Sequence, residues 1–290
     1  NTTFTLNPSQ LSPGRYRAKV RVTDSGGENN TAALHFVVVE NLPVLSPDED
    51  TDGDGTSDLA EGTADTDFDG IPDYLDNIAL VNVLPERASE TNSFLMECDP
   101  GIRCRLGEFA IQGQSGGARL SMNELMDLSM AEEDERHTFT GLFDFELSEL
   151  PTPGQSAAIV IPQLESIPAN ALYRKLVNGR WVTFVENVQN QLHSAAGSEG
   201  FCPPPGDDAW QVGLVEGHWC VQLTIEDGGP NDADGEANST VVDPGGVATR
   251  NTKSYTATGG GGSVGIALIM MLLMIGIGRR LPKKYLGAIA

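Results

Sequence analysis

The twelve residues DTDGDGTSDLAE at positions 50–61 and the twelve residues DTDFDGIPDYLD at positions 65–76 share one acidic pattern. Carboxylates stand at positions 1, 3, 5, 9 and 12 of each loop, and glycine stands at position 6. Calcium binds about six to eight oxygens, so this alternation lets a short loop curl its carboxylates around one ion. The pattern predicts two calcium sites. The expected ligands are the side chains of Asp50, Asp52, Asp54, Asp58, Glu61, Asp65, Asp67, Asp69, Asp73 and Asp76 and the position-7 backbone carbonyls of Thr56 and Ile71.

The spacing separates this pair from helix-flanked calcium loops. The first loop satisfies the EF-hand pattern, but an EF-hand needs a helix on each side of its loop. Only residues 62–64 lie between the two loops, which is too short for two packed helices. Dockerin-type pairs are excluded for the same reason. The alternative is a disordered acidic linker, since carboxylates without a cation repel one another.

With these short acidic units, residues 48–77 resemble thrombospondin type 3 repeats, which stack around calcium with almost no hydrophobic core. The resemblance implies that the segment 47–79 is ordered by the ion. We therefore expect a stiff spacer whose order depends on calcium.

The bulk composition limits the classes of function. A length of 290 residues suggests about two domains. A net charge of −23 argues against nucleic acid as a partner. A hydrophobic content of 39% with 33 glycines favours a turn-rich, mainly β fold. The chain begins at Asn1, without a methionine or a signal peptide. We expect it to be the C-terminal part of a longer protein.

The four cysteines indicate disulfides rather than a metal site. No C-x-x-C pair occurs, and the histidines show no ligand spacing with the cysteines, so zinc is the weaker alternative. Of the three possible connectivities, Cys98–Cys104 and Cys202–Cys220 are favoured because each closes a local loop. Disulfides imply an oxidising compartment outside the cytoplasm.

Residues 1–46 have the pattern of paired β-strands. Alternation runs over residues 16–22 and 34–39, and turn-forming residues lie between them. The closing strands of PKD-like or cadherin-like immunoglobulin folds have a similar pattern, carried here by Gly14, Tyr16, Val20, Val22 and Asp24. The resemblance implies a truncated Ig-like module that serves as a spacer or an adhesion unit.

The remaining globular sequence also carries β signals, which we divide into a β-rich region at 80–154 and a further domain at 155–250. We expect strands over residues 142–147 and 157–161, paired with each other across a turn, and another strand over residues 219–225.

A tight hairpin is predicted at Asn178-Gly179, which lies between two apolar-rich runs. A two-residue turn there would place Leu176 opposite Trp181 and Tyr173 opposite Phe184. Residues 121–128 predict one short helix. Together these elements predict a second β-sandwich.

The region 155–250 resembles the choice-of-anchor U domain, a family that precedes surface-sorting signals in bacterial proteins and brings no catalytic activity. The resemblance implies an anchoring role. It is carried by residues 173–176, 178–181, 194–196, 202–207, 213–214, Cys220, 225–235 and 243–246.

The C-terminal tail has the composition of a membrane anchor. A glycine-rich linker, residues 251–262, precedes an uncharged stretch at 263–278 and a basic end that starts at Arg279. As a helix, the uncharged stretch would be about 24 Å long, close to the ~30 Å hydrocarbon core. We predict a transmembrane helix within 263–290 with its basic end in the cytoplasm. A buried core helix is the alternative.

The order of glycines, apolar residues and basic residues resembles the GlyGly-CTERM sorting signal. The resemblance implies processing by a rhomboid-type sortase or protease and transfer to the surface of a Gram-negative bacterium. A plain glycine linker to a permanent anchor is the alternative.

Three further motifs are weaker signals. Asp232, Asp234 and Gly235 match part of a calcium loop, but a hydrogen-bonded turn is favoured. The G-x-S-x-G match around Ser115 follows a strand-like run at 109–111, yet no alternating strand–helix pattern surrounds it, so we expect no enzyme. The tryptophans could line a sugar-binding face, but core packing is favoured. They are Trp181, Trp210 and Trp219.

The sequence therefore predicts a non-enzymatic, calcium-binding stalk and anchoring region at the cell surface. Two alternatives stay open. In one, the chain anchors a larger secreted hydrolase; in the other, the sandwich binds an extracellular protein or a glycan.

Overall fold

The computed structural model describes residues 7–251, with the exception of residues 24, 27, 28, 89, 91 and 130–133. Its regular structure is mainly antiparallel β, as the sequence predicts. The strands of the described residues are β1 (Gly14–Thr23), β2 (Asn29–Val38), β3 (Val83–Pro85), β4 (Leu95–Cys98), β5 (Arg103–Leu106), β6 (Arg119–Leu120), β7 (His137–Phe139), β8 (Leu142–Ser148), β9 (Ser156–Pro162), β10 (Leu172–Val177), β11 (Arg180–Thr183), β12 (Gln191–Ala195), β13 (Gln211–Val212), β14 (Cys220–Glu226) and β15 (Thr240–Arg250).

Helices are few and short in the same residues. The α-helices are α1 (Asp58–Glu61) and α2 (Met122–Ser129), and 3₁₀ turns occupy Pro8–Gln10, Asp73–Leu75 and Ala110–Gln112. At the start of α2 the Ser121 and Glu124 side chains each accept a hydrogen bond from the other residue's backbone N–H, which satisfies two otherwise unpaired donors. The predicted short helix is therefore confirmed.

Two antiparallel sheets form a β-sandwich-like fold. The first sheet has the order β11-β10-β15-β8-β5, with β6 also paired to β8 and β7 to β15. The second sheet has the order β13-β12-β14-β9-β4-β3. Strands from the regions 80–154 and 155–250 contribute to both sheets, so the two regions share one core.

The core lies where the inner faces of the two sheets meet. In β8, the side chains of Phe143, Phe145 and Leu147 belong to this core, whereas Asp144 and Glu146 project from the other face of the strand. Burying each large apolar side chain contributes about 1.5–3 kcal/mol. The alternation of β8 thus sets which side of the first sheet faces inward.

Two strand predictions are wrong. The strand expected at residues 142–147 does not pair with that at 157–161, because β8 pairs with β15 and β5 in the first sheet while β9 pairs with β14 and β4 in the second. The short connection crosses between sheets instead of forming a hairpin. The run at 109–111 is not a strand but overlaps the 3₁₀ turn at Ala110–Gln112.

Two other predictions are confirmed. The hairpin at Asn178-Gly179 forms, and its register pairs Leu176 with Trp181. Tyr173 and Phe184 also lie opposite each other, with an edge-to-face ring contact at 6.1 Å between centroids. The strand expected at residues 219–225 corresponds to β14.

Strands β1 and β2 pair only with each other and form a two-stranded ribbon. The ribbon lies against the outer face of the first sheet through ion pairs. His35 Nδ1 lies 2.8 Å from Glu146 Oε1, and Lys19 Nζ lies 2.8 Å from Glu236 Oε2. Charged contacts therefore join the ribbon to the sandwich, and the two acidic loops lie in the chain between them.

Candidate metal centre

The two acidic loops, termed the first loop (residues 50–61) and the second loop (residues 65–76), have nearly the same internal hydrogen bonds. The position-1 carboxylate accepts the amide of the position-6 glycine in both, from Gly55 to Asp50 and from Gly70 to Asp65, at 3.0 Å. The position-5 carboxylate accepts the amide of position 7 at 2.6 Å in both loops. The repeated sequence thus produces a repeated backbone path.

Position 6 must be glycine in both loops. Gly55 has φ +98° and Gly70 has φ +101°, a region that residues with a Cβ rarely adopt. These conformations turn the chain back so that positions 1, 3 and 5 converge.

The aspartate at position 9 of each loop accepts hydrogen bonds from the threonine at position 2. One oxygen of Asp58 accepts the amide of Thr51 at 2.7 Å and the other accepts its hydroxyl at 2.8 Å. Asp73 accepts from Thr66 in the same way, with both distances 2.8 Å. These two aspartates, expected as ligands, therefore close their loops, and the threonine at position 2 is the sequence signal for that role.

The carboxylates at positions 1, 3 and 5 come together in each loop. One carboxylate oxygen each from Asp50, Asp52 and Asp54 lies within 4.8 Å of the others, and the same holds for Asp65, Asp67 and Asp69. Among the described residues, these two groups are the clusters of three or more His, Cys, Asp or Glu side chains with metal-binding proximity.

Buried carboxylate oxygens in these clusters lack a protein partner. Asp52, Asp67 and Asp69 each use Oδ1 to accept a backbone amide, while Oδ2 is buried and has no hydrogen bond. A buried anionic oxygen without a partner is costly, so native proteins pair such groups or bind metals with them. One oxygen of each residue accepts a hydrogen bond within the loop, and the other is available as a ligand for a cation.

Burial, followed by the clustered negative charges, raises the pKa values of several loop acids. Burial is the largest cause at Asp69 and, together with the charges of Asp67 and Asp76, raises the pKa of Asp69 to about 9. The pKa of Asp76 is raised to about 7, first by burial and then by neighbouring carboxylates. Burial, followed by repulsion from Asp52 and the other first-loop acids, raises the pKa of Glu61 to about 7. The position-12 residues thus belong to the same electrostatic group.

The second loop sits close to the first. The charge of Asp52 raises the pKa of Asp76, and Asn77 Nδ2 lies 3.5 Å from the Asp52 carbonyl oxygen. Asn77 Oδ1 is buried without a partner. Sequence reasoning missed Asn77, although amide oxygens are common calcium ligands and Asn77 directly follows position 12.

The donor set matches a hard divalent cation. The contributing atoms are carboxylate, amide and carbonyl oxygens, which calcium and magnesium prefer, and no thiol or imidazole takes part. Residues 40–86 contain no lysine or arginine, so the segment has no cation of its own. Calcium fits better than magnesium because it accepts many carboxylates in flexible geometry, whereas magnesium retains water in a near-ideal octahedron.

The third acidic loop has a different arrangement. Asp232 Oδ1 accepts the amide of Val242 at 3.0 Å, and its Oδ2 accepts the amide of Gly228 at 2.8 Å. Asp234 Oδ2 accepts the Asn238 side-chain amide at 2.9 Å. These contacts are those of a hydrogen-bonded turn.

Both favoured disulfides are present. Cys98 pairs with Cys104 and Cys202 with Cys220, with Cα–Cα distances of 6.2 and 5.6 Å. In the chain-entropy account, closing a loop with a sequence separation of 18 stabilises the fold by about 3 kcal/mol.

The G-x-S-x-G motif and the three tryptophans do not form a common site. The Ser115 hydroxyl donates to the Arg119 carbonyl at 2.6 Å within a turn. Trp181 packs on Phe139 in the first sheet, while the Trp210 indole donates to the Pro204 carbonyl beside the second sheet. The tryptophans expected as a possible sugar-binding face are therefore not gathered on one sheet.

The predicted linker and transmembrane tail, residues 252–290, lie outside the described residues. Within the part that the structure describes, no helix has the length and apolar character needed to cross a membrane.

Comparisons of this chain with protein-family models, with curated proteins and with solved structures find no match. The resemblances to thrombospondin type 3 repeats, to the choice-of-anchor U domain and to the GlyGly-CTERM signal therefore stay predictions.

Proposed function

We propose that this chain is a non-enzymatic, calcium-binding stalk and anchoring region of an exported cell-surface protein. The observation that carries the proposal is the set of buried, unpartnered Oδ2 atoms of Asp52, Asp67 and Asp69 inside two repeated loops. Calcium would supply the positive charge that residues 40–86 themselves do not contain.

The proposed mechanism is mechanical. Without a cation, the carboxylates of residues 48–77 repel one another, and the segment contributes little apolar burial apart from Ile71. With calcium bound, each loop is cross-linked through its own acids, so the connection between the ribbon and the sandwich stiffens.

The disulfides support an extracytoplasmic location. They persist in oxidising compartments, and extracellular calcium is high enough to fill sites of modest affinity. Both features favour the same compartment.

The anchoring part of the proposal rests on the sequence of residues 252–290. The glycines, the apolar stretch and the basic end would place the C-terminus in the membrane, at least transiently, and a rhomboid-type protease would act at the glycines. The proposed location is the envelope or surface of a Gram-negative bacterium.

Isothermal titration with calcium tests the metal site. We expect two ions per chain and loss of binding heat when Asp52, Asp67 and Asp69 are all changed to alanine, since asparagine would keep an oxygen ligand at these positions. Asp48→Ala is the matched control, because Asp48 is an exposed acid just outside the first loop. A titration without calcium-dependent heat would overturn the proposal.

Limited proteolysis tests the stalk. Cleavage within residues 45–80 should be slow in calcium and fast in chelator, while the sandwich resists under both conditions. The same cleavage pattern with and without calcium would count against a calcium-stiffened spacer.

Envelope fractionation tests the anchor. A chain that ends at residue 258 should leave the membrane fraction, whereas the full chain or its sorted product should be recovered with the envelope. Equal distribution of the two chains would remove the anchoring role and leave the calcium sites untouched.

A further inference from the structure

An ion pair lies in the core of the sandwich. Lys175 of β10 and Asp243 of β15 are both fully buried, and Lys175 Nζ lies 2.8 Å from Asp243 Oδ2. The strand register sets Asp243 opposite Phe145, and Lys175 lies two residues after Tyr173, so both side chains share the inner face of the first sheet with core aromatic residues.

These two groups have almost no other polar support. Their contact is close but not aligned as a hydrogen bond, and neither forms a hydrogen bond to another described residue. The buried Tyr173 hydroxyl also lacks a partner. A Cβ on Gly245 would lie 2.9 Å from both Asp243 Oδ1 and Tyr173 Cε1, so this glycine leaves room for the pair.

Burying an ion pair of this kind in a hydrophobic core costs free energy. Removing the two charges from water costs several kcal/mol per ion. The attraction between the charges offsets this desolvation cost only when the geometry is good and further hydrogen bonds are made. Those further hydrogen bonds are missing here. A neutral link between the same two side chains would remove both charges without removing any core atom except those of one water.

We propose that Lys175 and Asp243 form an intramolecular amide bond that cross-links β10 to β15. A proton first moves from the ammonium group to the carboxylate, which leaves a neutral amine and a carboxylic acid. The nitrogen lone pair attacks Cγ of Asp243, and the bond from Cγ to the protonated oxygen breaks. That hydroxyl leaves with one amine hydrogen as water. Ammonium plus carboxylate becomes amide plus water, so no oxidant or reductant is needed.

The surroundings favour each step. Lys175 is fully buried in an apolar core against Asp243, and a desolvated lysine is a nucleophile. Burial also raises the pKa of Asp243, against the effect of the Lys175 charge, which favours the protonated acid. The reacting groups are held at near-attack distance by adjacent strands, which replaces a bimolecular encounter with a local one.

The position of the link has a structural consequence. β15 lies in the first sheet between β8 and β10, and it is the last described strand before residues 252–290. A covalent bond to β10 would keep β15 in the sheet when the C-terminal end is pulled. The cross-link does not depend on the calcium sites.

Peptide mass spectrometry of the purified, folded full chain tests the proposal. Trypsin has no site between residues 181 and 249, so the link would join the peptide 175–180 to the peptide 181–250. After reduction of the disulfides, we expect one branched peptide lighter by one water than the two linear peptides together, with the branch at Lys175 and Asp243. An unlinked Lys175 is itself a tryptic site, so unmodified peptides 176–180 and 181–250 would overturn the proposal.

The ion pair of Lys19 and Glu236 is an internal control. It has the same 2.8 Å separation but both side chains are more than a third exposed, so it should stay unlinked. A link there as well would show chemistry that does not depend on burial and would overturn the argument.

Lys175→Arg provides a second comparison, because the guanidinium keeps the positive charge but does not form the amide. We expect linear peptides from this variant. If the variant does not fold, the wild-type peptides and the exposed pair still decide the question.

Discussion

The first and second loops have the same carboxylate positions and nearly the same hydrogen bonds, but they differ in what surrounds them. Position 7 is the exposed Thr56 in the first loop and the fully buried Ile71 in the second. Position 5 is the exposed Asp54 in the first and the fully buried Asp69 in the second.

The second loop is docked on the sandwich. The amide of Leu106 in β5 donates to the Asp69 carbonyl at 2.7 Å, and Ile71 joins the main core. The same ligand pattern is therefore placed in two dielectric environments. We infer that a bound cation stabilises the second loop more than the first, because the carboxylates of the second loop have lost more hydration.

The largest expected effect is on calcium-dependent stability. At calcium a thousand-fold above Kd, a site adds about 4 kcal/mol to the free energy of unfolding. Asp69→Asn replaces an anionic ligand with a neutral amide and should therefore lower this increment for the second loop. In chelator it should stabilise the protein, because burying Asp69 at neutral pH costs the free energy of protonating its carboxyl group, which the amide does not need. Denaturant unfolding with and without calcium measures both effects.

Asp54→Asn at the same position of the first loop is the matched control. It should reduce calcium binding without stabilising the chelated protein. Equal behaviour of the two variants would show that burial does not distinguish the loops.

Packing provides the second test. Ile71→Ala should cost about 2–5 kcal/mol because it opens a cavity at the edge of the core. Leu59→Ala, in the first loop, should change the free energy of unfolding by less than about 0.5 kcal/mol, since Leu59 is 56% exposed. Thermal or denaturant unfolding in calcium compares them, and a similar cost for both would contradict the docking of the second loop.

The position-6 glycines should show a smaller difference. Alanine at either site adopts a left-handed conformation that costs about 1–2 kcal/mol. Gly70→Ala should cost more than Gly55→Ala, because its Cβ would lie 3.3 Å from Leu106 Cβ while nothing lies within 4 Å at Gly55. Unfolding of both variants in saturating calcium checks this order, which an equal or reversed cost would refute.

The smallest effect is a pH dependence with a defined sign. In the metal-free protein, the pKa of Asp69 is raised to about 9, so its contribution to stability is present below its unfolded pKa and is lost as pH rises toward 9. Chelated protein should therefore resist proteolysis in the second loop better at pH 5 than at pH 9. Calcium affinity should rise over the same window because protons compete with the ion. Asp69→Asn should flatten both trends, and an opposite slope would be inconsistent with the burial of Asp69.

Local sequence was sufficient for some features. Short-range structure is specified by the repeated spacing of acidic residues in the loops, by the turn at Asn178-Gly179 and by the local spacing of the cysteines. The observed loops, hairpin and disulfides follow from these patterns. Each of these depends on residues close together in the chain.

Longer-range features could not be read in the same way. A short turn between two apolar runs normally indicates a hairpin, but β8 and β9 belong to opposite sheets. The alternation of Asp144 and Glu146 in β8 indicates a solvent-facing side, yet both residues are fully buried. Glu146 contacts His35 of the ribbon, more than 100 residues earlier in the sequence, and Asp144 accepts the amides of Phe109 and Ala110, so no local pattern reveals their burial.

The ribbon shows how an acidic protein uses its few cations. With 18 lysines and arginines against 41 acidic residues, the chain places Arg15, Arg17 and Lys19 where the ribbon meets the sandwich. Contacts of this kind weaken as dissolved salt screens the charges. The ionic strength of the surrounding medium would thus change the strength of these exposed contacts, and much less that of the buried contact between His35 and Glu146.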